Sequence, residues 1–156
     1  MERTAQELQQ IVNKFTESIG SLTEKEFSQK PRSDKWSKKE VVGHLVDSAQ
    51  NNLRRFICGQ YETTPPHIIY EQEFWVRANG YGNMSSQDVI QLWRLINLQI
   101  CTVIRSMPAA NRTRLCNTGK ESESLHTLEW LASDYVKHLK HHLNQVISGS
   151  FNITYP

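Results

Sequence analysis

The stretch Ser37-Lys38-Lys39-Glu40-Val41-Val42-Gly43-His44-Leu45-Val46-Asp47-Ser48 decides the fold. Ser37 and Glu40 form a capping box, in which the serine hydroxyl and the glutamate carboxylate satisfy backbone N–H groups left free at a helix start. Trp36 and Val41 occupy the flanking staple positions. From there Val42, Leu45, Ala49, Leu53 and Phe56 continue one helical face to about Gly59. Upstream, Leu8, Val12, Phe15, Ile19 and Leu22 recur at alternating spacings of four and three, which predicts a first helix. Downstream, Ser85 and Asp88 open a third, whose stripe is Val89, Trp93, Ile96, Ile100, Val103 and Met107 before Pro108 stops it. Leu92, Leu95 and Leu98 widen that face, either as a thicker core contact or as a homodimer surface. A fourth helix runs from near Thr127 to near Gly149 with Leu128, Leu131, Tyr135, Leu139 and Val146 inward.

No segment shows sustained strand alternation between turns, so the expected class is all-α, a four-helix bundle. At 156 residues the chain reads as a single domain over 1–156. Between the second and third helices lie the 25 residues from Gln60 to Met84, rich in Tyr61, Tyr70, Phe74, Trp75 and Tyr81. A connection of this length is long enough to cross the bundle from end to end, leaving those two helices parallel. Its aromatics are expected to wall a pocket.

Lys and Arg number 18 against 16 Asp and Glu. That balance excludes binding to nucleic acid or a membrane surface through bulk charge. No apolar run reaches the length of a membrane span, and the polar start MERTAQELQQ lacks the apolar core of a secretion signal. Cys58, Cys101 and Cys116 contain no CxxC pair, which argues against a disulfide framework or a thiolate zinc knuckle. The expected location is cytoplasmic.

The chemistry lies in the histidines. In Tyr135-Val136-Lys137-His138-Leu139-Lys140-His141-His142-Leu143-Asn144-Gln145, His138 and His142 stand four apart on the apolar stripe. Side chains at that spacing lie about 5–6 Å apart at Cβ, close enough for two imidazoles to converge on one ion. The other reading is a pair of core histidines satisfied by neighbours. His141 points to the flank. A further ligand must come from elsewhere, and His44 is the candidate, although the helical wheel places it at the edge of its apolar face. His67 and His126 fall in loops and read as surface residues. The motif lacks the glutamate of HExxH, and no GxSxG, P-loop or GxGxxG occurs. A base must therefore come from another turn. Asp47 and Asp134, each one turn from a histidine, are candidates for base or for orienting a ligand; the alternative for both is a solvated helix carboxylate.

Trp36 followed by His44-Leu45-Val46-Asp47-Ser48, then Asn51, Arg55 and Phe56, resembles the second helix of the DinB/YfiT-like superfamily. The closing His138-x-x-x-His142-x-x-Gln145 is similar to that family's last helix. The resemblance implies an up-down-down-up bundle and one divalent metal ion held by His44, His138 and His142. It also implies a small-molecule substrate, with members including thiol S-transferases that use low-molecular-weight thiols, metal-dependent hydrolases and proteins without known reaction. Dimers are common in the family. On this basis the expected function is a metal-dependent enzyme, with thiol transfer ahead of hydrolysis and a non-catalytic metal- or ligand-binding module as the alternative. Imidazole ligands suit several metals, of which zinc or nickel is favoured.

Overall fold

The computed structural model describes residues 1–155. Four long helices form the bundle: α1 (Glu2–Gly20), α3 (Lys38–Tyr61), α5 (Ser86–Ser106) and α6 (Leu128–Val146). Two short helices, α2 (Glu24–Ser28) and α4 (Gln72–Asn79), lie in the connections. The Ser37 box forms as the sequence predicts, with the hydroxyl accepting from Glu40 N–H and the Glu40 carboxylate accepting from Ser37 N–H. At α5, Ser85 accepts from Asp88 N–H, which completes half of such a box.

Contacts between the helices fix their directions. Arg105, at the end of α5, pairs with Glu2 at the start of α1 at 3.2 Å, so these two are antiparallel. Lys39 Nζ donates to Met84 O at 3.1 Å, which puts the starts of α3 and α5 at the same end. The His44 ring lies against His142, while Gly59 lies against Leu128, so α3 and α6 are antiparallel. The Met1 ammonium, at the start of α1, pairs with Glu129 at the start of α6 at 3.9 Å, so these two are parallel. The order is therefore up, down, down, up. The core is one apolar cluster in which Leu8, Phe15, Phe56, Trp93, Ile100 and Leu139 are essentially inaccessible. Each such side chain stabilises the fold by roughly 1.5–3 kcal/mol. Within it the Tyr135 hydroxyl donates to Asn97 Oδ1 at 2.6 Å.

The connections depart from the sequence reading. The first helix ends at Gly20 rather than Leu22, and the last at Val146 rather than Gly149. The crossover folds into α4 and a 3-10 turn over Tyr81–Asn83, divided by Gly80 in the left-handed region at φ 63°. An antiparallel hairpin, β1 (Leu115–Asn117) with β2 (Leu125–Thr127), precedes α6. Strands of three residues carry too little alternation to be read. His126 belongs to β2, with its ring stacked on Trp130 at 3.8 Å. His67, though exposed, ties the crossover to the hairpin through a hydrogen bond between Nε2 and Gly119 O at 2.7 Å. His67 is the exposed loop residue the sequence predicts, whereas His126 lies half-buried in a strand.

Candidate metal centre

His44 is wholly buried. The wheel places it at an edge, but from Val41 to Asn52 nearly every residue of α3 is buried. Here α3 is covered by α5 on one side, α6 on another, and Tyr81 on a third. Gly43 makes the last approach: a Cβ there would stand 2.2 Å from the Tyr81 ring. On a helix enclosed this way, edge and centre positions are both interior.

Antiparallel packing sets His44 opposite the i, i+4 pair of α6. One ring nitrogen from each of His44, His138 and His142 lies within 4.8 Å of the other two. His44 Nε2 and His138 Nε2 are 3.4 Å apart. Four ligands at 2.0–2.1 Å around a tetrahedral ion stand about 3.3 Å from one another. The closest pair already has the spacing of such an edge.

Two of the three remaining ring nitrogens have polar neighbours. His138 Nδ1 lies 3.4 Å from Ser48 Oγ, and His142 Nδ1 lies 3.4 Å from Gln145 Oε1. Donation from Nδ1–H to these oxygens leaves Nε2 of both rings as the unprotonated atom, the tautomer a metal requires. His44 Nδ1 is buried with no partner and lies beneath the Trp36 ring, whose centroid is 5.1 Å from that of His44. Burial pushes all three imidazoles below their ordinary value, reinforced by their mutual repulsion. His44 falls to about 3, His138 to about 2, and His142, which Gln145 partly restores, to about 4. All three rings therefore present neutral lone pairs. The donor set fits a borderline divalent ion.

The two carboxylates sit differently. Asp47 is fully buried and accepts from Tyr81 O–H at 2.6 Å and Asn79 N–H at 2.8 Å through Oδ1, while Oδ2 has no partner. Burial lifts its carboxyl to about 6 against the lowering effect of those two bonds. Asp134 accepts from Tyr155 O–H at 3.1 Å. Neither hydrogen-bonds a histidine. The neighbours of the histidine nitrogens are Ser48 and Gln145 instead. Gln145 was legible as the residue three after His142, but Ser48 approaches from another helix and leaves no sequence signal. His141 stays at the flank, with Nε2 3.2 Å from Gln145 Nε2.

A cavity of about 620 Å³ reaches His142, lined by Trp36, Val41, Lys30, Glu73 and Gln145 among others. Its wall comes mainly from the segment between α2 and α3. The aromatic crossover expected to supply that wall contributes only Glu73. No helix among the described residues is long and apolar enough to cross a membrane.

Comparison with known proteins agrees with this geometry. A Bacillus cereus (strain B4264) protein named "Putative metal-dependent hydrolase" is 33% identical over 70 residues, 45% of this chain and 40% of that protein. A Bacillus anthracis (strain A0248) protein of the same name matches equally. The chain thus aligns with less than half the length of these relatives. Among solved structures, YfiT from Bacillus subtilis, described as a probable metal-dependent hydrolase with an unusual four-helix bundle topology, superposes with a TM-score of 0.82 at 22% identity. That superposition covers 92% of this chain and 82% of YfiT, and it shows the shared fold. The family model for the DinB superfamily matches residues 4–146. This chain belongs to the DinB superfamily.

Proposed function

We propose that this protein is a metal-dependent hydrolase of a small molecule, with one divalent ion, zinc or nickel, held by His44, His138 and His142. The observation that carries the reading is the set of three neutral ring nitrogens within 4.8 Å, two of them already 3.4 Å apart. When bound, such an ion supplies Lewis acidity and lowers the pKa of water toward neutrality. The chain's own residues do the rest. Ser48 and Gln145 hold the ring orientations, Trp36 covers His44, and the cavity beside His142 admits the substrate. Asp47, one turn after His44 on α3 and with Oδ2 unpartnered among the described residues, is the proposed proton acceptor. Asp134 accepts from Tyr155 and faces a separate, smaller cavity. No observation at the site favours thiol transfer, and the relatives bear the name "Putative metal-dependent hydrolase", so hydrolysis takes the lead over the expectation from sequence.

The same proposal treats 1–156 as one domain in the cytoplasm, in line with three unpaired thiols. It takes α5, with Leu92 and Leu95 exposed, as the face of a homodimer. Elemental analysis of untagged protein, beside His138→Ala, tests the centre. We expect near one divalent ion per chain in the parent and little in the variant, with ester or amide hydrolysis following the metal. Full metal content in His138→Ala overturns the ligand set, and a loaded protein that turns over no ester or amide overturns the hydrolase.

A further inference from the structure

On α3, Ser48, Asn52 and Arg55 continue the face that begins at His44, at spacings of four, four and three. Opposite them on α6, Asp134 stands one turn before His138. Between the two helices is a second cavity, about 160 Å³, whose lining includes Ser48, Arg55, Tyr70, Asp134, His138 and Tyr155. His138 is the wall it shares with the histidine cluster. Arg55 and Asp134 are the cavity's two fixed charges, and they do not pair: among the described residues no carboxylate lies within 4 Å of Arg55.

Each charge is held back from the other. Arg55 donates through Nε to Ile68 O at 3.0 Å, through Nη2 to the same oxygen at 2.5 Å, and through Nη1 to Asn52 Oδ1 at 3.3 Å. A guanidinium carries five N–H donors, so two remain. Asp134 accepts from Tyr155 through Oδ2, and among the described residues Oδ1 has no hydrogen-bond partner. Opposite charges sharing a half-buried, low-dielectric cavity attract strongly, and holding them apart is costly unless something dipolar fills the gap.

We propose that this cavity is a recognition site for a small zwitterion of the α-amino-acid class, its carboxylate on Arg55 and its ammonium on Asp134. The planar fork of Arg55 suits a carboxylate, and Asp134 Oδ1 suits an ammonium. The cavity holds the head group alone, so the rest of the ligand extends along the seam past His138. That this ligand is the substrate of the histidine cluster rests on the hydrolase reading; the binding site itself does not.

Calorimetric titration with L-alanine, propionate and ethylamine tests the site. Alanine is expected to saturate with a Kd on the order of 1 mM, while propionate and ethylamine, each lacking one charge, bind at least about tenfold more weakly. Asp134→Asn retains an acceptor for Tyr155 and is expected to weaken alanine about tenfold with an unchanged melting temperature. Arg55 also holds Ile68, so Arg55→Lys serves as a second variant, with the same loss expected. Propionate binding as well as alanine, or Asp134→Asn binding alanine normally, overturns the zwitterion, and no saturable alanine binding overturns the site. His142 does not line this cavity. His142→Ala is therefore expected to bind alanine as the parent does while losing metal, so a failure of the metal centre is seen separately.

Discussion

Two seams of the bundle are built to opposite specifications. Between α1 and α5, Leu8, Val12, Phe15 and Ile19 meet Val89, Ile100 and Ile104, all essentially inaccessible and apolar. Between α3 and α6, the chain instead buries or half-buries three histidines, Ser48, Asn52, Arg55 and Asp134. The side chains named on the first seam carry no polar group, so their burial is gained without hydrogen bonds to satisfy. The second gives up part of that energy and gains neutral imidazoles, orphaned polar atoms and a charged cavity. Stability and chemistry are thus assigned to different pairs of helices, and substitutions should separate them.

The largest expected effect is on the polar seam. Each of the three imidazoles has a folded pKa below its ordinary 6.5, so between about pH 6.5 and pH 4 the unfolded chain holds more protons than the folded one. Their contribution is fully present above pH 6.5 and is lost as pH falls. By pH 5 the loss is roughly 2 kcal/mol per imidazole. Asp47 acts in the other direction: its folded value of about 6 exceeds the ordinary 3.8, so its contribution is present in acid and lost as pH rises through 6. Three groups outweigh one. Urea titrations of chelator-treated protein should show stability falling steeply from pH 7 to pH 5; an unchanged midpoint would mean that the imidazoles are not held neutral.

On the apolar seam, Phe15→Ala should cost about 3–5 kcal/mol in the same titration at pH 7 while leaving metal stoichiometry at its parental value. A coupled loss of metal would erase the division between the seams. Ser48→Ala sharpens the contrast from the other side. It should weaken metal affinity by about 10–100-fold, read by chelator competition, with little change in melting temperature. The smallest effect is at the outer face of α5, where Leu95 is 58% exposed. Leu95→Lys should alter stability by less than about 0.5 kcal/mol yet convert the proposed dimer to a monomer in sedimentation.

The two seams also differ in how far the sequence reveals them. An apolar seam is written in periodicity, and Leu8, Phe15, Val89 and Ile100 were all legible from spacing alone. The Ser37 and Ser85 caps were equally plain, because a cap is a local contract between residues three apart. The polar seam was legible only where both partners share a helix, as with His138, His142 and Gln145. His44 was placed at an edge because the wheel records one helix's own pattern and not how many neighbours enclose it. Ser48 against His138, and Arg55 against Asp134, are pairings between helices that no single-helix pattern encodes. Helices α2 and α4, of five and eight residues, complete too few turns to show a period.

The antiparallel docking of α6 on α3 bears on how the protein is made. His44 and His138 are 94 residues apart, and Arg55 and Asp134 are 79 apart. A nascent chain whose synthesis has stopped before α6 owns one histidine of the cluster and one charge of the cavity. Neither site can assemble until α6 docks and closes a long loop, an entropic step that waits for the synthesis of α6. Ligand capture by this seam therefore reports that α6 has been made and docked on α3, and copies cut short before α6 are left without it.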